Sequence, residues 1–307
     1  MVSTDAPGRA GGEAGENVLE TAGRHADALM EAVAAAGERL EIPFAETAGG
    51  SPAHMVWRVW GHGPDLLLLH GNAGCWLHFI RNIDTLARSR RVIVPDLPGC
   101  GESDDIEGAP DADALAEAVL SALPHIRRGS RLDIAGFSMG GSVALSLAAT
   151  LRQAVSRLIL IGCGRGFGLP SPEAPALMRW KSIEDPAERF AAHAENLRRL
   201  MLAPGAPYDP LAHRIHARAV EACRLRYTRS GYEECRRKLS QVPARLAGIW
   251  GERDVLMGPF ASNRLEFLLS HDPDAETLLV EGAGHWVQYE RADRVNAILT
   301  GLLGAES

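Results

Sequence analysis

One short stretch limits what this chain can fold into: Gly136-Phe137-Ser138-Met139-Gly140, with Gly141 directly behind it. The apolar run Leu132-Asp133-Ile134-Ala135 before it reads as a short buried strand, and Ser142 to Ala149 after it reads as a helix. G-x-S-x-G at a strand-to-helix turn is the setting of a nucleophile elbow. A serine at so sharp a turn takes a strained backbone, and glycines two residues to either side let neighbouring backbone pass without side-chain clashes. The helix that follows points its positive end at the hydroxyl and at any oxyanion formed there.

The rest of the chain repeats the pattern of a buried strand that stops in a loop. His54–Trp60 alternates, whereas Asp65-Leu66-Leu67-Leu68-Leu69-His70 is apolar throughout, as a strand covered on both faces must be. It ends in His70-Gly71-Asn72-Ala73-Gly74. Arg91–Asp96 runs into Leu97-Pro98-Gly99-Cys100-Gly101-Glu102-Ser103-Asp104. Further buried strands are expected at Arg157–Ile161, Leu246–Trp250 and Glu276–Val280, with helical segments between most of them. This is the signature of βαβ units and of a mainly parallel, doubly wound α/β sheet, where ligand chemistry sits at the carboxyl ends of strands.

One interval breaks the rhythm. More than eighty residues separate Ile161 from Leu246 without a convincing strand; Pro170, Pro172 and Pro175 open the region, and helical patterns follow over Phe190–Leu202 and Leu211–Leu239. An insertion after a strand's carboxyl end is expected to sit over the site as a cap. Residues 168–242 hold 13 Lys+Arg against 9 Asp+Glu, a local excess of +4 in a chain of net charge -7. Two readings stay open: a solvated helical surface, or a cationic roof suited to a carboxylate-bearing substrate. The division expected is a disordered tail over 1–17, an N-terminal helix over 18–40, a core over 41–167 and 243–307, and a helical cap over 168–242. The N-terminal helix packs on its own domain, faces the lid or serves a homodimer.

Composition removes some function classes. The negative net charge argues against a general nucleic-acid binder. No apolar run approaches the ~20 residues of a membrane span, and the first seventeen residues are no secretory leader. Cys75, Cys100, Cys163, Cys223 and Cys235 are scattered, odd in number and without C-x-x-C spacing, which suggests free thiols in a reducing cytoplasm. No H-E-x-x-H, P-loop or EF-hand pattern is present, so no metal and no nucleotide or other cofactor is implied. Gly162-Cys163-Gly164-Arg165-Gly166-Phe167-Gly168 lacks the G-x-G-x-x-G spacing and reads as the hinge into the cap.

A serine nucleophile needs a base and a group to orient that base. His285 in Gly282-Ala283-Gly284-His285-Trp286 follows the last strand in a glycine-rich loop, and Asp254 in Gly251-Glu252-Arg253-Asp254 follows the one before, with Glu252 as a nearby competitor. An oxyanion hole needs two N–H groups. Met139 supplies one, and Asn72, in the loop after the early buried strand, is the choice for the other. His70 reads as a brace for that loop.

These motifs together resemble the α/β-hydrolase superfamily: His70-Gly71, Asp96-x-Pro98-Gly99-x-Gly101-x-Ser103, Gly136-x-Ser138-x-Gly140, Gly251-x-x-Asp254 and Gly284-His285. The resemblance covers the core from about Trp57 onward and implies a Ser138–Asp254–His285 triad in the superfamily's chain order. Serine at the elbow resembles esterases, lipases, thioesterases, aminopeptidases and C–C hydrolases, and excludes the aspartate-dependent epoxide hydrolases and haloalkane dehalogenases. Ser138-Met139-Gly140-Gly141, Arg81-Asn82-Ile83 and Gly284-His285-Trp286-Val287-Gln288-Tyr289-Glu290 are similar to meta-cleavage-product hydrolases, which cut a C–C bond in ring-fission dienoates. That likeness implies that Arg218 binds a substrate carboxylate and that Trp286 lines the pocket. Two positions depart from it: Phe137 stands beside the nucleophile where asparagine is usual, and Asn72-Ala73-Gly74 replaces Gly-Pro-Gly. The expectation is hydrolysis of a small ester or acyl substrate, with C–C hydrolysis second. Acyl transfer, perhydrolysis and a non-catalytic binding protein remain as further alternatives.

Overall fold

The computed structural model describes residues 10–46 and 50–304, with side chains from residue 20 onward. In chain order the elements are α1 (Ala10–Ala35), β1 (Glu38–Glu46), β2 (Pro52–Trp60), β3 (Asp65–Leu69), α2 (Ile83–Leu86), β4 (Arg91–Pro95), α3 (Ala112–Ala122), β5 (Leu132–Phe137), α4 (Met139–Leu151) and β6 (Val155–Ile161). They continue with α5 (Pro186–Leu200), α6 (Pro210–Ala222), α7 (Tyr232–Leu239), β7 (Arg245–Gly251), α8 (Ala261–Leu269), β8 (Glu276–Val280), α9 (Val287–Glu290) and α10 (Ala292–Gly304).

Eight strands form one sheet in the order β1-β2-β4-β3-β5-β6-β7-β8. The pairs β1–β2 and β2–β4 are antiparallel and the rest are parallel. Alternation along the strands divides the core in two. Leu67, Leu69, Ile134, Leu158 and Leu160 point to the face covered by α3, α4 and α8. Leu66, Leu68, Ala135, Ile159 and Ile161 point to the face packed by α1, α6 and α10. Side chains that alternate with period two while both faces are apolar produce this two-sided core.

Two N-terminal expectations are corrected. The helix starts at Ala10, inside the stretch read as a disordered tail, and ends at Ala35; Met1 to Arg9 lie outside the described residues. The strand β1 was not anticipated. Its sequence, ERLEIPFAE, is rich in charge and carries Pro43. Those features suit an edge strand, and β1 pairs only with β2, with an irregularity beginning at Pro43.

Helix α1 lies across two bodies of the molecule. Ala26, Met30 and Val33, on one helical face, are buried with Leu211, Ala212 and Ile215 of α6. Asp27 pairs with Arg214 of α6 at 2.9 Å, while Trp60 of β2 donates its indole N–H to the Val33 carbonyl at 2.8 Å. The helical pattern over Leu211–Leu239 is two helices, α6 and α7, joined by an extended strap over residues 223–231. The strap is bound along the core: Arg224 and Leu225 N–H donate to the Gly99 carbonyl, and Thr228 N–H to that of Pro110.

Gly140 packs so closely against β3 that an added Cβ would overlap the carbonyl oxygens of Leu69 and His70. Gly140→Ala is therefore expected to cost about 1–3 kcal/mol of stability through backbone displacement, read as a lowered urea midpoint with unchanged slope.

Candidate functional site

Ser138 stands between β5 and α4 with φ 52° and ψ -115°, a conformation that non-glycine residues rarely adopt. Its backbone is over-determined by its surroundings: Ser138 N–H donates to the Ile161 carbonyl at 2.8 Å, and its carbonyl accepts from Gly141 N–H at 3.0 Å. A side chain on Gly136 would overlap the backbone of Gly140 and Gly141, so the elbow closes only with glycine there.

The carboxyl ends of three strands meet at this hydroxyl. Ser138 Oγ and His285 Nε2 are 3.1 Å apart, and His285 Nδ1 lies 2.8 Å from Asp254 Oδ2. Asp254 Oδ1 accepts the Leu256 N–H at 2.8 Å, which fixes the carboxylate plane. Both Asp254 and His285 are buried. Asp254 can only accept when ionised, so the proton sits on Nδ1 and Nε2 faces the serine as an acceptor. Glu252, the competing carboxylate, turns away to accept the Gly282 N–H at 3.1 Å.

The loop after β3 packs against the elbow. A Cβ on Gly71 would lie 3.0 Å from the Phe137 ring and 3.3 Å from Ser138 Cβ. Gly74 N–H closes a turn onto the Gly71 carbonyl at 3.1 Å, with Ala73 at φ 51°. Two histidines hold Gly71 from opposite sides. His70 Nε2 accepts the Leu97 N–H at 2.9 Å, so its Nδ1 carries the proton and donates to the Gly71 carbonyl at 2.8 Å. His78 Nδ1 accepts the Gly71 N–H at 3.3 Å. Burial lowers His70 to about 4 and holds His78 well below the ordinary histidine range, so both rings stay neutral at pH 7.

Asn72, Phe137, Ser138, Met139 and His285 open into one cavity of about 960 Å³. Met139 is the first residue of α4, so its N–H is one of the donors a helix leaves without an intrahelical partner. Residues 66–298 match the alpha/beta hydrolase family model. The chain belongs to that family.

Among similar proteins, this alpha/beta hydrolase is 28% identical over 281 residues to a 2-hydroxy-6-oxononadienedioate/2-hydroxy-6-oxononatrienedioate hydrolase of Paraburkholderia phymatum, an alignment covering 83% of this chain and 93% of that protein. It is 32% identical over 259 residues to the dihydrolipoyllysine-residue acetyltransferase component of the acetoin cleaving system of Pseudomonas putida, with 76% of this chain and 62% of that protein covered. The chain thus spans less than two thirds of that second relative. In fold it is similar to the carboxylesterase CesB of Bacillus subtilis, with TM-score 0.71 and 17% identity over 93% of this chain and 100% of that one.

Two side chains expected in the pocket are elsewhere. Trp286 is fully buried; its indole N–H donates to the His78 carbonyl at 2.9 Å and its ring stacks on Tyr289 at 4.1 Å. It braces the loops behind the site and is not among the cavity-lining residues. Arg218 is exposed on α6 and does not line the cavity either. His216 and Val220 line it instead; they are four residues apart on one helical face, and Arg218, midway between them, points the other way. Phe137 does line the cavity, its ring 5.1 Å from that of His285.

The cavity also holds cations that no motif identified: Arg165, Arg179, Lys181 and Arg229 line it, with no carboxylate among the described lining residues. His216 adds no charge, because burial and the neighbouring His193 and His213 lower it to about 3. The +4 excess over residues 168–242 was the only sequence signal for this, and it could not say which charges face inward. Among the described residues no helix is long and apolar enough to cross a membrane, and no cluster of His, Cys, Asp and Glu has the arrangement of a metal site.

Asp96 supports both loops, accepting Trp76 N–H at 2.8 Å and Glu102 N–H at 3.1 Å. Burial nevertheless pushes its carboxyl up to about 6. The folded state then holds this proton more tightly than the unfolded chain, where a carboxyl titrates near ~4. The corresponding stability is full below about pH 4 and is lost as pH rises through about 6. The unfolding free energy of wild type minus that of Asp96→Asn should fall as pH rises across that window, because the asparagine does not titrate, measured by urea unfolding at stepped pH.

Proposed function

We propose that this alpha/beta hydrolase is a serine hydrolase in which Ser138, His285 and Asp254 act as a catalytic triad on a small ester or related acyl substrate. The observation that carries the reading is the continuous hydrogen-bonded relay from Ser138 Oγ through His285 to Asp254. His285 Nε2 takes the hydroxyl proton as Ser138 Oγ adds to the substrate carbonyl, and the N–H groups of Asn72 and Met139 receive the oxyanion. His285 then protonates the leaving group. Water, deprotonated by the same nitrogen, releases the acid and frees the serine. Asp254 keeps Nδ1 protonated and stabilises the imidazolium.

Residues 168–242 act as a cap in this reading, and their cavity-lining Arg179, Lys181 and Arg229, with Arg165 beside them, favour an acyl group that itself carries a negative charge. Four lining cations with no carboxylate among the described lining residues give the cavity a positive potential that attracts an anionic group and not a neutral one. C–C hydrolysis of a dienoate is the second reading. The relative from Paraburkholderia phymatum favours it, as does a cavity suited to a carboxylate. Histidine would there first assist tautomerisation of the dienol. Phe137 beside the nucleophile supports the ester reading, because it places an apolar ring where a polar group would orient an enol.

Hydrolysis of short-chain p-nitrophenyl esters tests the reading. Ser138→Ala should lose about 10⁴–10⁶-fold in kcat and Asp254→Asn about 10⁴-fold, with unchanged unfolding midpoints. Turnover that survives in Ser138→Ala would defeat the triad. An ester with a terminal carboxylate on its acyl chain should show a higher kcat/KM than its neutral analogue of equal length. That preference should shrink with added salt and in Arg229→Ala. Equal rates for the two esters would remove the anionic-substrate clause and leave the triad standing.

A further inference from the structure

Two of the five cysteines meet where the insertion joins the core. Cys100 lies in the loop after β4 and is fully buried; Cys223 follows the last residue of α6 and is half-buried. Their sulfurs are 3.9 Å apart, a thiol–thiol contact between residues 123 positions apart in the chain. The surrounding backbone holds them in register. Arg224 and Leu225 N–H donate to the Gly99 carbonyl at 2.8 and 3.2 Å, and Arg224 reaches both the Ser103 carbonyl and Asp105. On the core side, Cys100 N–H donates to the Leu97 carbonyl and Asp96 ties the loop at Glu102.

We infer that Cys100 and Cys223 are a redox modification site, closing to a reversible disulfide that locks the strap to the core and disturbs the Asn72 loop. Closure needs the sulfurs to move from 3.9 Å to about 2.0 Å, within reach of side-chain rotation because the flanking backbones are already hydrogen-bonded. The roles of the two sulfurs differ. Cys223 is the more exposed of the two, and the contact with the Cys100 thiol draws it down to about 7. Its partner is held protonated by that same contact and by burial. Cys223 is therefore the attacking thiolate and Cys100 the resolving thiol.

A hydroperoxide serves as oxidant. The Cys223 sulfur attacks one peroxide oxygen, the O–O bond breaks, and the departing hydroxide takes up a proton as water. The resulting sulfenic acid is attacked by the Cys100 sulfur; the S–S bond forms, the S–O bond breaks, and a second water leaves with the Cys100 proton. Two thiols are oxidised and one hydrogen peroxide becomes two waters. Closure also pulls on the turn in which Cys100 N–H donates to the Leu97 carbonyl. Leu97 N–H in turn donates to His70, whose ring holds the Gly71 carbonyl beside Asn72, so the oxyanion loop loses part of its support.

The experiment treats the full chain with hydrogen peroxide, quenches it and maps cysteines by mass spectrometry. The expected result is a peptide linking Cys100 to Cys223 and a fall from five titratable thiols to three in denaturant, both reversed by dithiothreitol. Ester turnover should fall about fivefold on oxidation, the weight of one lost hydrogen bond, and return on reduction. Cys223→Ser should form no link and keep its turnover under peroxide. Five remaining thiols, a link between other cysteines, or a Cys100–Cys223 link that leaves turnover unchanged would overturn the inference. The link and the thiol count need no substrate, so they succeed or fail apart from the ester-hydrolase reading.

Discussion

The structure depends on one unfavourable backbone conformation held in place by its neighbours. Ser138 at φ 52° costs of order 1–3 kcal/mol. It persists because the Ser138 N–H and carbonyl are both hydrogen-bonded, to Ile161 and Gly141, and because Gly136 and Gly140 have no Cβ to block the close packing of the elbow. The strain gives the hydroxyl a position clear of the sheet, at the unpaired N–H end of a helix. Every other part of the site is arranged around that point. The loops after β3, β7 and β8 bring Gly71, Asp254 and His285 to it, and all three strands run parallel to β5 in the sheet.

The insertion between β6 and β7 is tied to the rest of the molecule at several points. The strap after α6 lies along the β4 loop, α1 packs against α6, and Glu290 accepts both Ala203 and Gly284 N–H. The last contact links the residues after α5 to the loop that carries His285. Movement of the insertion therefore cannot be independent of the loop that carries His285, and burial raises Glu290 from its ordinary carboxylate value at that junction. The cysteine pair sits at the strap end of the same arrangement.

The sheet was legible in the sequence because parallel strands buried on both faces leave apolar runs with sharp ends, as at Asp65–Leu69 and Arg91–Pro95, whereas Glu276–Val280, expected as a buried strand, is a largely uncovered edge strand with Leu279 exposed. The residues that meet at Ser138 were legible because each follows such a run. What failed did so for physical reasons. Edge strand β1 needs only one apolar face, Ile42 and Phe44, so its charges and Pro43 concealed it. Arg218 and Trp286 were carried over from a family likeness, and the rotation of α6 and the inward turn after His285 direct them elsewhere. The cations that do face the cavity come from irregular segments around Arg179 and Arg229, where no periodicity tells inside from outside.

Covalent trapping addresses the proposed triad most directly, since it requires the nucleophile, its base and access through the insertion at once. A fluorophosphonate should add a single phosphonyl group, which peptide mapping locates on Ser138, and His285→Ala should abolish the reaction. Absence of labelling in the wild type, or a label on another residue, would contradict the account.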